Sequence, residues 1–180
     1  DGLISEQDMN KLWLNVVSCL KKLFASTEIK LDNIMGIGVT GQGEGYWALD
    51  ENNQPVGYSI LWNDGRALDL VNLIKKDDLF YKEMKKTVGS YIKPGSTLTL
   101  IKWIKENSPE IYRKSKTIFT CKDWIRYKLT GEIYWELSDA TCSCVDLEKN
   151  HYANSIFKEL GIEDALKKLP KLINSTEKAG

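Results

Sequence analysis

The sequence predicts an α/β domain, in which short apolar strands alternate with amphipathic helices. Apolar stretches of strand length are separated by longer stretches whose apolar residues recur at helical spacing. The 180 residues, of which 42% are hydrophobic and 28% charged, are enough for one domain with a sizeable core. Helices packed on a sheet are therefore expected.

The first half of the chain is predicted to hold one long helix followed by three short strands. Residues 5–25 carry apolar side chains at helical spacing, with Ser5 as the expected N-cap and Asp8 completing an imperfect capping box. A polar turn is expected between the second and third strands. The predicted strands cover residues 34–40, 46–49 and 59–62, and the turn covers residues 50–55. Together they form a hairpin-like β unit.

The second half is predicted to be mainly helical, with proline and glycine at the helix ends. Two helices follow Arg66, and the segment Lys93-Pro94-Gly95-Ser96 ends the second of them. Pro109 suits the first turn of a helix, and Gly131 and Gly161 suit helix C-termini. The remaining predicted elements are helices over 97–106, 122–129 and 152–160 and a buried strand over 117–120.

Charge and cysteine usage argue against several classes of function. Lys+Arg and Asp+Glu number 25 each, whereas a nucleic-acid binder needs a clustered basic face. No apolar run approaches the ~20 residues that span a membrane. The four cysteines match no metal-ribbon spacing, so we expect reduced thiols in a cytoplasmic protein, with Cys142 and Cys144 on one side of a strand. The single histidine, His151, disfavours Ser-His-Asp and Cys-His hydrolases.

The segment from Gly41 to Gly45 carries one amide, Gln42, and one carboxylate, Glu44, on a glycine-rich bend. The third strand then ends in Trp62, close to Asp64 and Arg66. An amide and a carboxylate supply fixed hydrogen-bonding groups, glycine admits close approach of the backbone, and an indole packs on an apolar face. The pattern predicts a pocket for a small molecule rich in hydroxyl groups.

Further motifs occur in the order in which a known family carries them. They are Ser5-Glu6-Gln7-Asp8 with Trp13, Gly41 to Gly45, Trp62 to Arg66, Gly95 to Asn107, Lys122 to Glu132, Ser138 to Ala140, and Ser175 to Gly180. With these motifs the chain resembles the amino-terminal domain of the FGGY carbohydrate kinases, which include xylulose, L-xylulose, erythritol, ribulose and glycerol kinases. Leu100 departs from the family pattern, in which lysine is usual.

The resemblance implies a ribonuclease H-like, actin-type ATPase fold, with a mixed sheet flanked by helices. It implies that residues 1–180 form most of the sugar-binding domain, without the leading phosphate-loop strands and the carboxy-terminal domain. ATP and Mg²⁺ would then be bound mainly by other parts of the parent protein. No residue here is assigned as a catalytic group or metal ligand, and the chain alone is expected to be inactive. A sheet without its first strands would expose an unpaired edge, which predicts a possible homodimer.

The same resemblance implies roles for individual residues. Gln42, Gly43 and Glu44 would contact sugar hydroxyls, with Trp62 packed on the carbon skeleton and Asp64 and Arg66 nearby. Glu44 keeps a carboxylate without added bulk, which resembles the L-xylulose and erythritol kinases. Gly95 stands where glycerol kinases tend to carry tyrosine, and it would leave room for a longer substrate.

The expected function is transfer of the ATP γ-phosphate to a terminal hydroxyl of a pentulose or short polyol, with a xylulose-type substrate favoured. A glycerol kinase-like enzyme and a catalytically silent sugar-binding or regulatory module remain alternatives. A dinucleotide-binding oxidoreductase is disfavoured, because the bend ending at Gly45 leads into a strand and not into a helix.

The candidate residues also have structural interpretations. Gln42 and Glu44 could cap the turn that follows them, and Asp64 and Arg66 could form an ion pair that orders their loop. Asp123 and Asp139 are interpreted as a helix cap and a turn residue in preference to a catalytic carboxylate pair.

Overall fold

A computed structural model describes residues 3–26 and 30–180 and confirms the α/β class. Eight α-helices lie within these ranges: α1 (Met9–Ser26), α2 (Leu68–Lys76), α3 (Asp78–Val88), α4 (Thr97–Asn107), α5 (Pro109–Lys114), α6 (Cys121–Thr130), α7 (Leu137–Ala140) and α8 (Asn154–Glu159). Two 3₁₀ helices cover Leu31–Asn33 and Glu163–Lys168. Strands and helices are mixed along the chain, although α2 to α5 follow one another without a strand between them.

The eight strands of the described residues form four separate pairs and no single continuous sheet. They are β1 (Glu6–Gln7), β2 (Trp47–Leu49), β3 (Ser59–Ile60), β4 (Thr117–Phe119), β5 (Trp135–Glu136), β6 (Val145–Asp146), β7 (His151–Tyr152) and β8 (Leu172–Ile173). The antiparallel pairs are β1–β3, β2–β4 and β6–β7, whereas β5–β8 is parallel. The strand pairing is therefore mixed.

The hydrophobic core lies between these strands and the helices. Its largest fully buried side chains include Trp47, Trp124, Trp135, Phe119 and Phe157. The indole N–H of Trp124 donates a 3.0 Å hydrogen bond to the carbonyl of Met9, which fixes the start of α1 against α6. A buried tryptophan with its N–H satisfied contributes both apolar area and orientation. The core thus holds the long first helix against the second half of the chain.

Several predicted boundaries are confirmed. Pro109 begins α5, and Gly131 ends α6 in the left-handed conformation at φ 79°. The helix predicted at 97–106 is α4, which begins directly after Ser96. The hairpin between the second and third strands also forms, because Tyr46 and Ile60 exchange backbone hydrogen bonds of 2.8 and 3.0 Å.

The strand predicted at 34–40 is wrong. These residues are irregular, and they pair with no strand among residues 3–26 and 30–180. Met35 is 98% exposed and Ile37 63% exposed, so their apolar side chains face solvent. A strand is stabilised by the backbone hydrogen bonds of a neighbour, and an apolar run without a neighbour gains nothing from extended geometry.

Three further predictions at element ends are corrected. Asp8, not Ser5, caps α1, since its Oδ1 accepts the Lys11 N–H at 2.9 Å, while residues before it pair as β1. Tyr152 belongs to β7 and not to α8. Cys142 and Cys144 lie in a turn and not in a strand, so their side chains differ in burial: Cys144 is fully buried and Cys142 only partly. All four cysteines are unpaired.

No helix in the described ranges is long and apolar enough to cross a membrane.

Candidate functional site

A cavity of about 520 Å³ brings together four of the residues that the sequence predicts for the site: Gln42, Gly43, Glu44 and Trp62. Gln42 to Glu44 precede β2, and Trp62 lies two residues after β3. The antiparallel contact between Tyr46 and Ile60 holds these two strand ends side by side. The residues that carry the amide, the carboxylate and the indole therefore line one shared cavity.

Glu44 holds the most constrained side chain of the cavity. Its backbone is in the left-handed region at φ 61°, which costs a non-glycine residue roughly 1–2 kcal/mol. Its Oε2 accepts a 2.7 Å hydrogen bond from the Thr97 N–H, at the first residue of α4, and another of 2.7 Å from the Ser143 hydroxyl. The helix N-terminus and these donors favour a carboxylate there.

The protonation of Glu44 is set by opposing effects. Burial raises the pKa of its carboxyl, and the hydrogen bonds from Thr97 and Ser143 oppose that rise without cancelling it. The carboxyl group is therefore less easily ionised than that of an exposed glutamate. The structural interpretation, in which Glu44 caps the turn that follows it, does not describe this contact, because Oε2 accepts the first N–H of α4.

Gly95 lies beside the cavity, not among the residues that line it. A Cβ atom at this position would lie 2.0 Å from the backbone oxygen of Trp62. The carbonyl of Gly95 in turn accepts the Gly45 N–H at 3.1 Å. The lack of a side chain at Gly95 thus lets the loop before α4 approach the backbone of Trp62. Its predicted effect on substrate length stays a prediction.

Asp64 and Arg66 form the ion pair proposed as their structural interpretation. Arg66 Nε lies 2.8 Å from Asp64 Oδ1, and Arg66 Nη2 lies 2.6 Å from Glu6. Asp64 is buried, and its Oδ2 also accepts the Ser5 N–H at 2.7 Å. Burial raises the pKa of Asp64, but the Arg66 and backbone hydrogen bonds outweigh it and leave the pKa below its usual value. The pair ties β1 to the loop after β3 and does not line the cavity.

Five other residues line the cavity that the sequence did not single out: Ser90, Tyr91, Lys93, Ser96 and Cys142. Four of them belong to the loop between α3 and α4, which the sequence marks only as a helix break. The fifth follows α7, and a hydrogen bond from the Ser90 hydroxyl to its carbonyl joins the two segments. A polar break that contains Lys-Pro-Gly-Ser is the one signal that could have pointed to this loop.

A second polar cluster lies around the start of α6, and it corrects two predictions. Asp123 does not cap a helix at Trp124, because α6 begins earlier, at Cys121, with Thr120 as its N-cap. Asp123 is buried; it binds Arg126 at 2.6 Å, and burial raises its pKa despite that ion pair. Asp139 lies within α7, not in a turn, and its Oδ2 lies 2.9 Å from Lys122 Nζ.

These two aspartates share one neighbour. The Thr120 hydroxyl lies 2.8 Å from Asp123 Oδ2 and 2.7 Å from Asp139 Oδ2. Each carboxylate is also held by its own cation, so the cluster is explained by internal pairing. Within the described ranges no three His, Cys, Asp or Glu side chains come together as a metal site, and no residue is assigned to a metal ion.

Comparison with known proteins identifies the family in which this architecture occurs. Residues 2–180 match the model of the amino-terminal domain of the FGGY family of carbohydrate kinases. The chain is 31% identical over 177 residues to a probable L-xylulose kinase of Haemophilus influenzae, covering 98% of this chain and 36% of that protein. It is 29% identical over 180 residues to the L-xylulose/3-keto-L-gulonate kinase of Escherichia coli, with 98% and 35% coverage.

Solved structures agree with this result. A xyloylose kinase from Brucella ovis superposes with a TM-score of 0.87 at 25% identity, covering 98% of this chain and 36% of that one. A glycerol kinase from Plasmodium falciparum superposes with a TM-score of 0.80 at 22% identity, covering 96% and 35%, which shows a shared fold. The chain thus spans about a third of the length of these relatives.

The predicted ribonuclease H-like, actin-type fold is confirmed by these neighbours. Three observations support the same family assignment: the motifs from Ser5 to Gly180, the cavity between β2 and α4, and the family match over residues 2–180. The chain belongs to the FGGY family of carbohydrate kinases.

Proposed function

We propose that this chain is the sugar-binding part of a kinase that uses ATP and Mg²⁺ to phosphorylate a terminal hydroxyl of a pentulose or short polyol. The observation that carries the proposal is the shared cavity of Gln42, Glu44 and Trp62. The names of the relatives, an L-xylulose kinase and an L-xylulose/3-keto-L-gulonate kinase, favour a xylulose-type substrate. The unpaired cysteines support a cytoplasmic location for the proposed kinase.

In the reaction, the sugar hydroxyl oxygen forms a bond to the γ-phosphorus while the bond from that phosphorus to the bridging oxygen of ADP breaks. A carboxylate accepts the hydroxyl proton. Phosphoryl transfer depends mainly on positioning and charge stabilisation, and ATP with Mg²⁺ supplies the phosphoryl group and the charge neutralisation. The residues of this chain are proposed to orient the sugar, and none is proposed as the base.

Each cavity residue has a distinct part in that orientation. Glu44, fixed by Thr97 and Ser143, accepts a hydrogen bond from one sugar hydroxyl. The amide of Gln42 both donates and accepts. Trp62 is 51% exposed, so its indole face is available to pack on the C–H face of the sugar.

The experiment that tests the proposal is a coupled assay of ADP release by the full-length protein with L-xylulose, D-xylulose, erythritol and glycerol. We expect turnover of a five- or four-carbon substrate and weaker turnover of glycerol. Preferred turnover of glycerol would favour a glycerol kinase-like enzyme. Sugar binding without ADP release would favour the sugar-binding module. The absence of both sugar binding and turnover would overturn the proposal.

The site itself is tested by Trp62→Ala. Loss of the stacking surface should lower kcat/KM about two- to tenfold, since an aromatic packing contact contributes roughly 0.5–1.5 kcal/mol. The matched control is Tyr58→Ala, because Tyr58 is 61% exposed, precedes the same strand and lies outside the cavity. Equal kcat/KM for wild type and Trp62→Ala would remove Trp62 from the sugar site.

A further inference from the structure

Ser143 is a buried residue whose hydroxyl reaches the carboxylate of the candidate site from a distant part of the chain. It lies in the turn between α7 and β6, 99 residues after Glu44, and is 1% exposed. Its Oγ lies 2.7 Å from Glu44 Oε2. The neighbouring Cys142 lines the cavity, whereas Ser143 does not. Ser143 therefore adjoins the cavity through Glu44 and is not itself part of the cavity wall.

The direction of the bond between Ser143 and Glu44 is fixed by a second contact. The Ser143 Oγ accepts the Leu98 N–H at 3.4 Å, in the first turn of α4. A hydroxyl group carries one hydrogen, so an oxygen that accepts from a backbone N–H still has that hydrogen to donate. The Cys144 sulfur lies 3.7 Å away and is a weaker acceptor than a carboxylate oxygen. The hydrogen of Ser143 is therefore donated to Glu44.

Two donors thus meet at the same oxygen of Glu44. The Thr97 N–H can only donate, and it reaches Oε2 at 2.7 Å, the same distance as the Ser143 hydroxyl. A carboxylate oxygen has two lone-pair positions, and here both are used. These contacts hold Oε2 as an acceptor, so a proton that Glu44 takes up must bind Oε1.

The hydrogen bond from Ser143 also favours the ionised form of Glu44. Burial raises the pKa of this carboxyl, whereas the hydrogen bonds from the Thr97 N–H, from Ser143 and from the hydroxyls of Thr97 and Ser96 lower it. Burial is the stronger effect. Because the pKa is already raised, the loss of one donor raises it further.

Five other ionisable groups lie on the elements that surround Glu44. The two thiols flank Ser143, and burial and the charge of Glu44 raise the pKa of both, so both are neutral at neutral pH. The carboxylate behind Gly43 is bound to Lys122 at 2.9 Å. The remaining two groups belong to the loop between α3 and α4, which lines the cavity. The five residues are Cys142, Cys144, Asp139, Tyr91 and Lys93.

We propose that Ser143 is a positioning residue of the sugar site, which holds the Glu44 carboxylate against the start of α4 as an acceptor for a sugar hydroxyl. This inference rests on the proposed sugar-binding role of the cavity and adds a residue that does not itself contact the sugar. Ser143 acts only through Glu44. Its loss should therefore change the pH dependence of Glu44 and of sugar binding, which the loss of a residue that merely fills space would not do.

The first measurement follows the Glu44 carboxyl directly, by NMR titration of the full-length protein labelled with ¹³C in its glutamate carboxyl groups. The signal of Glu44 is the one that Glu44→Gln removes. We expect Ser143→Ala, which lacks the hydroxyl, and Ser143→Cys, which has a weaker donor of similar size, to move the midpoint of Glu44 to higher pH. Ser143→Thr keeps the hydroxyl and should titrate as the wild type does.

The matched control is Thr141→Val, which removes a hydroxyl from the same turn. The Thr141 hydroxyl donates to the Ser138 carbonyl at 2.8 Å, and Thr141 does not line the cavity. This variant should leave the midpoint of Glu44 unchanged.

The second measurement is calorimetry without ATP, with L-xylulose, D-xylulose and erythritol as ligands. At pH 7, Ser143→Ala should bind the sugar that the wild type prefers about tenfold more weakly, as expected for the loss of one hydrogen bond to a charged group. Glu44 is proposed to accept the sugar hydroxyl when ionised, so affinity falls as the pH falls through its pKa. The raised pKa of Ser143→Ala should bring that fall to higher pH, and Ser143→Thr should restore the wild-type profile.

The two measurements separate this inference from the proposed function. An unchanged Glu44 midpoint in Ser143→Ala and Ser143→Cys, or an equal shift in Thr141→Val, would overturn the inference. A shifted midpoint with unaltered sugar affinity would refute the positioning role and leave the proposed function intact. A shifted midpoint in a protein that binds none of the sugars would support the control of Glu44 by Ser143 and refute the proposed function.

Discussion

Gly45 and Gly95 lie on two segments that meet beside the cavity, joined by one backbone hydrogen bond of 3.1 Å. Gly45 has φ 91°, and a Cβ there would lie 2.5 Å from the carbonyl oxygen of Ile60. At Gly95 the added Cβ would meet the Trp62 backbone oxygen at 2.0 Å. Since backbone atoms cannot rotate away as a side chain can, both glycines are required by close approach of the chain to itself.

Gly95→Ala is therefore expected to destabilise the protein by about 1–3 kcal/mol, the range for inserting a group where no space exists. The measurement is the midpoint of urea unfolding. Gly38→Ala is the control, because nothing lies within 4 Å of a Cβ at Gly38 and its φ is not positive. That substitution should change stability by no more than about 0.5 kcal/mol. Equal midpoints for the two variants would contradict this account of Gly95.

At the scale of elements, α6, β5 and α7 are joined by the carboxylate of Glu136. Its Oε2 lies 2.6 Å from Lys122 Nζ on α6, and its oxygens accept hydrogen bonds from Ser138 on α7 and from Ser175. Burial alone would raise the pKa of Glu136, but Lys122, Ser138 and Ser175 together lower it to about 2, from an ordinary value of 4.5.

The lowered pKa of Glu136 means that this residue makes the folded protein less stable in acid. Its folded value lies below its unfolded value, so it contributes stability above about pH 4.5 that is lost as the pH falls toward 2. The raised pKa values of Glu44 and Asp123 act in the opposite direction, since the folded protein keeps their protons to higher pH. Their contribution weakens stability as the pH rises above their ordinary values.

Glu136→Gln should lower stability at pH 7 by about 1–3 kcal/mol, because it removes the ionic acceptor of the hydrogen bonds from Lys122, Ser138 and Ser175. It should also make the loss of stability between pH 4.5 and 2 less steep than in the wild type. Urea unfolding at a series of pH values measures both effects. The exposed Glu132, which forms no ion pair within the described residues, provides the control Glu132→Gln. Parallel pH curves for Glu136→Gln and wild type would refute the role given to Glu136.

Elements specified by local chemistry were predictable from the sequence. Pro109 at a helix start and Gly131 at a helix end act within one turn of their own position, and both predictions are confirmed. The apolar run at 34–40 would need a neighbouring strand to form a strand itself, and it has none in the described residues. Tyr152 belongs to β7 because it pairs with Val145. In both cases the structure depends on a pairing partner that the local sequence pattern does not reveal. Asp8 replaced Ser5 as the cap because β1 pairs with β3 immediately before it.

At the scale of the whole molecule, the cavity shows which of its residues short sequence patterns can predict and which they cannot. Gln42, Glu44 and Trp62 were predictable, because a glycine-rich bend and an aromatic residue at a strand end are visible in short segments. Lys93 and Cys142 were not, since they reach the cavity only through the packing of α3, α4 and α7. The left-handed backbone of Glu44 was equally hidden, because a residue other than glycine rarely adopts that conformation.

The exposed apolar segment 34–37 leads to a prediction about self-association. Met35 and Ile37 face solvent, and their backbone pairs with no strand within the described residues. Unpaired backbone with apolar side chains favours association with a second copy, in keeping with the possible homodimer. Sedimentation velocity of the 180-residue chain should show a mass that rises from one chain toward two as the concentration increases.

The double variant Met35→Lys/Ile37→Lys should abolish that rise, because two charges per chain would repel the partner and disfavour edge pairing. Leu79→Lys is the control, since Leu79 is 82% exposed on α3, away from segment 34–37. It should leave association unchanged if the segment is responsible. A wild-type chain that stays monomeric at high concentration, or a double variant that associates as the wild type does, would refute pairing through this segment.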